Sequence, residues 1–308
     1  MIEFNFQGSD HKRIAAYKWV PEGTPKAVVQ IVHGVIEHAS RYNDFATYLT
    51  GQGYAVYAND HRGHGKTIEV KEEMGWFAEK DGWNLCVEDL HILRKMAQED
   101  FPGIPYFFFG HSMGSFLTRT YITKHGEGLS GCVLSGTAVH PKALIVSGSL
   151  LAKLQALFRG KKFPSKMLSQ LSFGAYNKRI KDPKTPYDWV SRDPTVVTKY
   201  MQDEYCGFLG TCGLFIDLMY GLNYINTRSH LSGIPSTLPF LIFSGAEDPV
   251  GSYGKGPQTL TEQYRRAGFS DLTLKIYPEG RHEMLNELNR LEVYKDIQAW
   301  LDQVLKKL

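Results

Sequence analysis

Short apolar runs alternate with amphipathic ones through two separate stretches of the chain. Ala27 to Val32 is apolar and β-branched, and the amphipathic segment Tyr42 to Leu49 follows it after a loop. Tyr54 to Ala58 is a second apolar run, trailed by a long helical pattern from Trp83 to Met96. A third run, rich in aromatics, ends abruptly in Gly110-His111-Ser112-Met113-Gly114, and a helix-like segment, Ser115 to His125, comes directly after it. Cys132 to Leu134 reads as a short buried strand. Farther on, Leu238 to Phe243 and Leu272 to Ile276 read as strands, with Leu260 to Arg266 and Leu291 to Leu305 as helices. Nearly continuous apolar strands separated by helices predict an α/β fold, a mostly parallel sheet covered on both faces. The opening segments Ile2 to Phe6 and Ile14 to Trp19, joined at Gly8-Ser9-Asp10, read as an antiparallel pair at one edge.

Residues from about 138 to 235 break the alternation. They are helical in flavour, irregular, and carry Pro141, Pro164, Pro183, Pro186 and Pro194. The spacing predicts an insertion, a helical cap over the C-terminal ends of the strands, where open α/β sheets place their sites. That leaves 1–137 and 236–308 as the core of a single domain. Leu150, Leu151, Leu154, Leu157 and Phe158 follow helical spacing, so one helix of the cap has an apolar face. From Pro141 to Lys181 there are nine basic residues and no acidic one. Two readings of this segment stand. Either the apolar face packs on the core with the lysines solvated, or the cap makes transient contact with an anionic membrane surface and its apolar face forms an acyl door.

Composition narrows the function classes. With 308 residues, 43% hydrophobic and 22% charged, the chain has the make-up of a soluble globular protein. A net charge of +3 is too small, as a total, to argue for a nucleic-acid partner. The first residues show no signal-peptide pattern, and no stretch reaches the roughly 18 apolar residues needed to span a bilayer. Cys86, Cys132, Cys206 and Cys212 have neither disulfide-framework nor zinc spacing, and read as reduced, buried thiols of a cytoplasmic protein. Nothing in the chain bears on its oligomeric state.

The chemistry centres on Ser112. A strand, a tight turn and a helix with a serine at the apex need small residues two before and two after it, because the backbone folds back on itself. A serine hydroxyl is a poor nucleophile until a base removes its proton, and the base needs a carboxylate to orient it. In such folds the partners follow in the order acid, then histidine. After Ser112 the histidines are His125, His140, His230 and His282. His125 closes the helix that starts at the serine, and His140 and His230 flank the cap. His282 follows a strand, in a loop expected above the sheet, and is the best base. The acid should leave the preceding strand, where Glu247 and Asp248 are both candidates. Asp248 is favoured, since a turn at Pro249 suits a carboxylate held rigidly towards the base. The tetrahedral intermediate needs two N–H donors. Met113, at the helix N-terminus directly after the serine, supplies one candidate and Val35, after the strand Ala27 to Val32, the other.

These motifs carry a resemblance. His33-Gly34-x-x-Glu37-His38-x-x-Arg41-Tyr42, Asp60-His61-Arg62-Gly63-His64-Gly65, Gly110-His111-Ser112-Met113-Gly114 and Arg281-His282-Glu283 together resemble the monoacylglycerol lipase and lysophospholipase branch of the α/β-hydrolases. The resemblance implies an eight-stranded sheet, a helical cap, and hydrolysis of carboxylic esters, often of monoacyl lipids. Residue by residue, it implies a triad of Ser112, Asp248 and His282 with oxyanion donors Val35 and Met113. Two departures stand out: Val35-Ile36 is bulkier than the small pair common there, and Ser115 stands where a further glycine is frequent.

Other motifs fall short. His61 to Thr67 ends like a phosphate-binding loop, but Asp60 replaces the required first glycine; His61 and His64 lack a third metal ligand. His282-Glu283 begins like a zinc-protease motif, but Asn286 sits where the second histidine belongs. No cofactor and no metal are expected. The expected substrate is a small-molecule or monoacyl-lipid ester. Two rival functions are a serine aminopeptidase of the same fold, which would need an acidic anchor for the substrate amine, and a catalytically silent ligand-binding hydrolase fold.

Overall fold

The computed structural model describes residues 1–308 and contains one sheet of eight strands. The strands are β1 (Ile2–Gln7), β2 (Arg13–Trp19), β3 (Ala27–Val32), β4 (Tyr54–Asn59), β5 (Tyr106–His111), β6 (Gly131–Ser135), β7 (Phe240–Gly245) and β8 (Leu272–Tyr277). Their order across the sheet is β1-β2-β4-β3-β5-β6-β7-β8. From β4 to β8 every neighbouring pair is parallel, while β1 and β2 form the antiparallel edge.

Side chains alternate between two cores because successive strand residues point to opposite faces. On β5, Tyr106 and Phe108 enter one apolar cluster and Phe107 and Phe109 the other; on β3, Val28 and Val32 oppose Val29 and Ile31 in the same way. Helices α2 (Gly82–Asp100), α3 (Met113–His125) and α8 (Lys255–Arg266) cover the first face. Helices α1 (Asn43–Gly51) and α9 (Arg290–Leu305) cover the second. With both faces buried, the central strands need apolar residues at every position, which is why they read as continuous runs.

Between β6 and β7 lie four more helices, α4 (Lys142–Arg159), α5 (Lys166–Phe173), α6 (Pro194–Gln202) and α7 (Cys212–Ile225). Ala152, Leu168, Cys212 and Phe215 form a small cluster within this insertion, while Ile145, Leu214, Leu218 and Leu222 join the large core. Helix α4 lies along α7 at Gly148, where a Cβ would stand 3.0 Å from Met219 Sδ. Helix α4 buries only Ile145 and Ala152. Its sequence periodicity suits a face packed on the core, but Leu150 (68%), Leu157 (77%) and Phe158 (76%) are largely exposed, and Leu154 is half so. The core-packing reading of that face therefore fails.

Candidate active site

Strand β5 hands the chain to α3 through Ser112, whose backbone sits at φ 52°, ψ −122°. Such a conformation costs a serine about 1–3 kcal/mol and persists only where the surroundings over-determine it. A Cβ on Gly110 would lie 2.6 Å from the Gly114 carbonyl, and one on Gly114 2.0 Å from the Val32 carbonyl. Only glycines fit, so the turn is as tight as its sequence predicts. Ser112 N–H donates to the Ser135 carbonyl of β6 at 2.9 Å, and Ser115 Oγ donates to the Ser112 carbonyl at 2.6 Å. Ser115 thus pins the turn rather than entering the cavity.

His282 and Asp248 meet across two loops. His282 Nδ1 donates to Asp248 Oδ1 at 2.9 Å. Asp248 Oδ1 also accepts Val250 N–H at 2.9 Å, and Oδ2 accepts the Ser244 hydroxyl at 2.7 Å. Burial pushes the imidazole down, but the Asp248 carboxylate overrides it and holds His282 above its ordinary value. Burial likewise pushes Asp248 up, and the imidazole and its hydrogen bonds bring it below the carboxylate range. Glu247 is exposed and only its backbone N–H engages the loop, donating to the Gly280 carbonyl. The structure therefore brings Asp248, not Glu247, to the histidine. Ser112 and His282 line the same cavity, with Nε2 the ring nitrogen that has no protein partner.

The loop after β3 closes the third side. A Cβ at Gly34 would stand 3.2 Å from Ser112 Cβ, so this loop runs against the serine. The N–H groups of Val35 and Met113 make no hydrogen bond within the chain, and both residues line the cavity. Two unpaired donors beside a serine suit an oxyanion. Val35 faces the cavity, whereas Ile36 is buried away from it at φ 61°, its carbonyl accepting Tyr200 Oη at 3.0 Å and Gly207 N–H at 3.2 Å. Beneath the loop, His33 Nδ1 donates to the Gly34 carbonyl at 2.7 Å while Nε2 accepts His61 N–H at 2.9 Å. The His61 and His64 rings lie tilted against His33, centroids 4.0 and 5.5 Å away, and burial lowers them to about 3 and about 4. Three neutral imidazoles thus support the oxyanion loop.

One buried guanidinium joins that loop to the histidine loop. Arg41 donates to Glu37 Oε2 at 2.6 Å and grips both oxygens of Glu283 at 2.7 Å. Glu37 in turn accepts Gly34 N–H at 2.6 Å and Tyr42 Oη at 2.8 Å. Burial raises Glu37 despite Arg41, while Arg41 overcomes burial and lowers Glu283. The motif letters Glu37, Arg41 and Glu283 are visible in the sequence, but nothing local says that they meet.

Above the serine lies a cavity of about 550 Å³, within the usual range for ligand sites. Its walls include Ile145, Leu151, Leu168, Phe215, Leu218 and Leu222 from the insertion. No lysine or arginine lines it, and its two acids, Glu37 and Glu283, are both committed to Arg41. Of the other histidines, His140 reaches the cavity wall, His125 stacks on His91 and His230 on Tyr224. All four cysteines are buried and unbridged.

Comparison with known proteins agrees with this architecture. Residues 23–289 match the family described as serine aminopeptidase, S33. The chain is 31% identical over 302 residues to a monoacylglycerol lipase of Mycolicibacterium smegmatis, covering 97% of this chain and 96% of that one. Against the human monoglyceride lipase it is 29% identical over 298 residues, 92% of this chain and 85% of the relative. The crystal structure of a thermostable carboxyl esterase from Bacillus coagulans, in complex with glycerol, superposes with a TM-score of 0.91 at 32% identity, covering 99% and 98% of the two chains. The chain belongs to this serine hydrolase family, in the monoacylglycerol lipase group of the α/β-hydrolases.

Proposed function

We propose that the protein is a carboxylic ester hydrolase that cleaves monoacylglycerols to glycerol and a fatty acid through an acyl-enzyme on Ser112. In this reading Ser112 Oγ attacks the ester carbonyl as His282 Nε2 takes its proton. The N–H groups of Val35 and Met113 hold the developing oxyanion, and Asp248 stabilises the imidazolium. Collapse expels glycerol, which leaves with the proton from His282. Water then attacks the acyl-enzyme with His282 again as base, and the fatty acid departs.

The observation that carries the substrate class is the cavity wall: largely apolar, with no lysine or arginine side chain. A lysophospholipid would bring a phosphate into it with no cation to receive it, which costs far more than placing neutral hydroxyls there. An aminopeptidase substrate would bring a free ammonium, and neither acid of the cavity is available to it. Monoacylglycerol satisfies both constraints. The insertion acts as the cap, and its outer face is the part that meets lipid. Leu144 and Leu171 belong both to the cavity wall and to the exposed surface, and Leu150, Leu154, Leu157 and Phe158 are exposed on the same insertion. Lys153, Arg159, Lys162 and Lys166, on the same segment of the chain, are exposed as well. No helix is long and apolar enough to cross a membrane. A cytoplasmic protein that leans transiently on anionic lipid fits this surface, each basic group adding roughly 1 kcal/mol at low salt.

The test compares monoacylglycerol, lysophosphatidylcholine and an aminoacyl amide as substrates for the wild type. Glycerol release from the first should exceed turnover of the other two by at least about tenfold. Preferential cleavage of the lysophospholipid or the amide would overturn the substrate assignment.

A further inference from the structure

The insertion is also laced to the loop that carries His282, along the stretch Asp188 to Arg192. His282 N–H donates to the Trp189 carbonyl at 3.3 Å, and Glu283 N–H to the Val190 carbonyl at 2.8 Å. Arg281 Nη1 donates to the carbonyls of Asp188 and Ser191 at 2.6 and 3.0 Å. Ser191 Oγ donates to the Asn286 carbonyl at 2.9 Å. The lacing closes on Glu287, which is fully buried. Its carboxylate accepts Arg192 N–H at 3.0 Å, Arg192 Nε at 2.9 Å and Arg281 N–H at 3.0 Å. The Trp189 indole lies 5.2 Å from the His282 ring, centroid to centroid. Trp189 and Val190, whose carbonyls hold the backbone of His282 and Glu283, also line the acyl cavity.

We infer that this strap makes the alignment of His282 depend on what fills the cavity, with Arg192 and Glu287 as its positioning residues. The inference rests on the ester-hydrolase reading above. Asp248 fixes the Nδ1 side of the imidazole, while the strap fixes the backbone from which the ring projects. An acyl chain long enough to pack on Trp189 and Val190 braces the strap, and with it the approach of Nε2 to Ser112. A short acyl group reaches the serine but leaves the strap unsupported. Binding energy from the remote part of the substrate then appears at the reacting centre, so acyl length raises kcat as well as lowering KM. The lever is adequate, because a misplacement of about 1 Å at a reacting group costs on the order of 10²-fold.

The experiment measures kcat and KM separately for esters of one leaving group, with acyl chains from acetyl to palmitoyl. It uses the wild type, Arg192→Ala and Glu287→Gln. In the wild type kcat should climb about tenfold or more with acyl length. In both variants the climb should flatten while KM still falls with length. Equal loss of kcat at every length would mean plain structural damage and overturn the coupling, as would a change in KM alone. Arg192 is half-buried and reaches the surface, so Arg192→Ala decides the matter should Glu287→Gln fail to fold. A protein that cleaves no ester of any length overturns the proposed function. One that cleaves every length with the same kcat overturns the strap alone.

Discussion

Floor and roof of the cavity are built on opposite terms. In the floor, the polar groups that support the reacting ones are paired: Asp248 accepts three hydrogen bonds, Arg41 spans two carboxylates, and His33 uses both ring nitrogens. In the roof, α4 buries two residues and turns leucines and a phenylalanine outward. A buried polar network tolerates little change, because a group left without its partner costs its full desolvation. An apolar surface has no such directionality. The chemistry therefore sits where geometry is fixed, and the proposed contact with lipid sits where only area matters.

The sharpest break of that contrast is Ser112→Ala. It should abolish turnover, on the order of 10⁶-fold by analogy with other triads, together with all fluorophosphonate labelling. Labelling at another serine would move the nucleophile elsewhere. Asp248→Asn should leave the fold intact and cut kcat about 10⁴-fold, with Glu247→Gln unaffected. The reverse pattern would mean that the geometry seen here is not the working one. Arg41→Ala strands two buried carboxylates, so a loss of about 3–5 kcal/mol in stability is expected from chemical denaturation. Well below its melting temperature it should still lose about 10²-fold in kcat on a short ester, since both catalytic loops lose their tie. A stable, fully active Arg41→Ala would show the clamp to be ornamental.

Acidity tests the floor more gently. His282 must be neutral to act as base, and Asp248 favours its charged form. The activity of the free enzyme should therefore fall as pH drops through a value above the ordinary histidine pKa of about 6.5, roughly tenfold for each pH unit beyond it. An inflection below that value in kcat/KM would mean that Asp248 is not ionised beside it. The smallest effect belongs to the roof. Leu157→Asp combined with Phe158→Asp should leave hydrolysis of a soluble ester and the melting temperature nearly unchanged, as exposed substitutions usually do. The same pair should weaken co-sedimentation with anionic vesicles at low salt. Undiminished vesicle binding would detach the exposed patch from membrane contact.

What the sequence discloses follows the range of the interaction responsible. Strands buried on both faces announce themselves as apolar runs, and β3 spans Ala27–Val32 as the pattern predicts. The serine turn is local too, since its glycines are demanded by the backbone within two residues. The helix there begins earlier than the pattern suggests, at Met113 rather than Ser115, because periodicity is silent across a turn. Chain order finds His282 and Asp248. It is blind to Arg41 meeting Glu283, 242 residues away, and to Glu287 meeting Arg192, 95 residues away. The apolar face of α4 is legible as a face, but its direction is not, because a 3.6-residue period carries no information about which side holds the protein.

The conformation of Ser112 has a further consequence, for heat resistance. A side chain held at positive φ is a standing debt of stability that glycine would not carry. Ser112→Gly should thus yield a dead enzyme that melts higher than the living one, by the one or two degrees that about 1 kcal/mol represents in a chain of this size. An unchanged or lower melting temperature would mean that the hydroxyl or Cβ of Ser112 stabilises the turn by as much as its backbone strains it. If the rise is observed, durability and activity are opposed at this position, because the residue that reacts is itself held in a strained conformation.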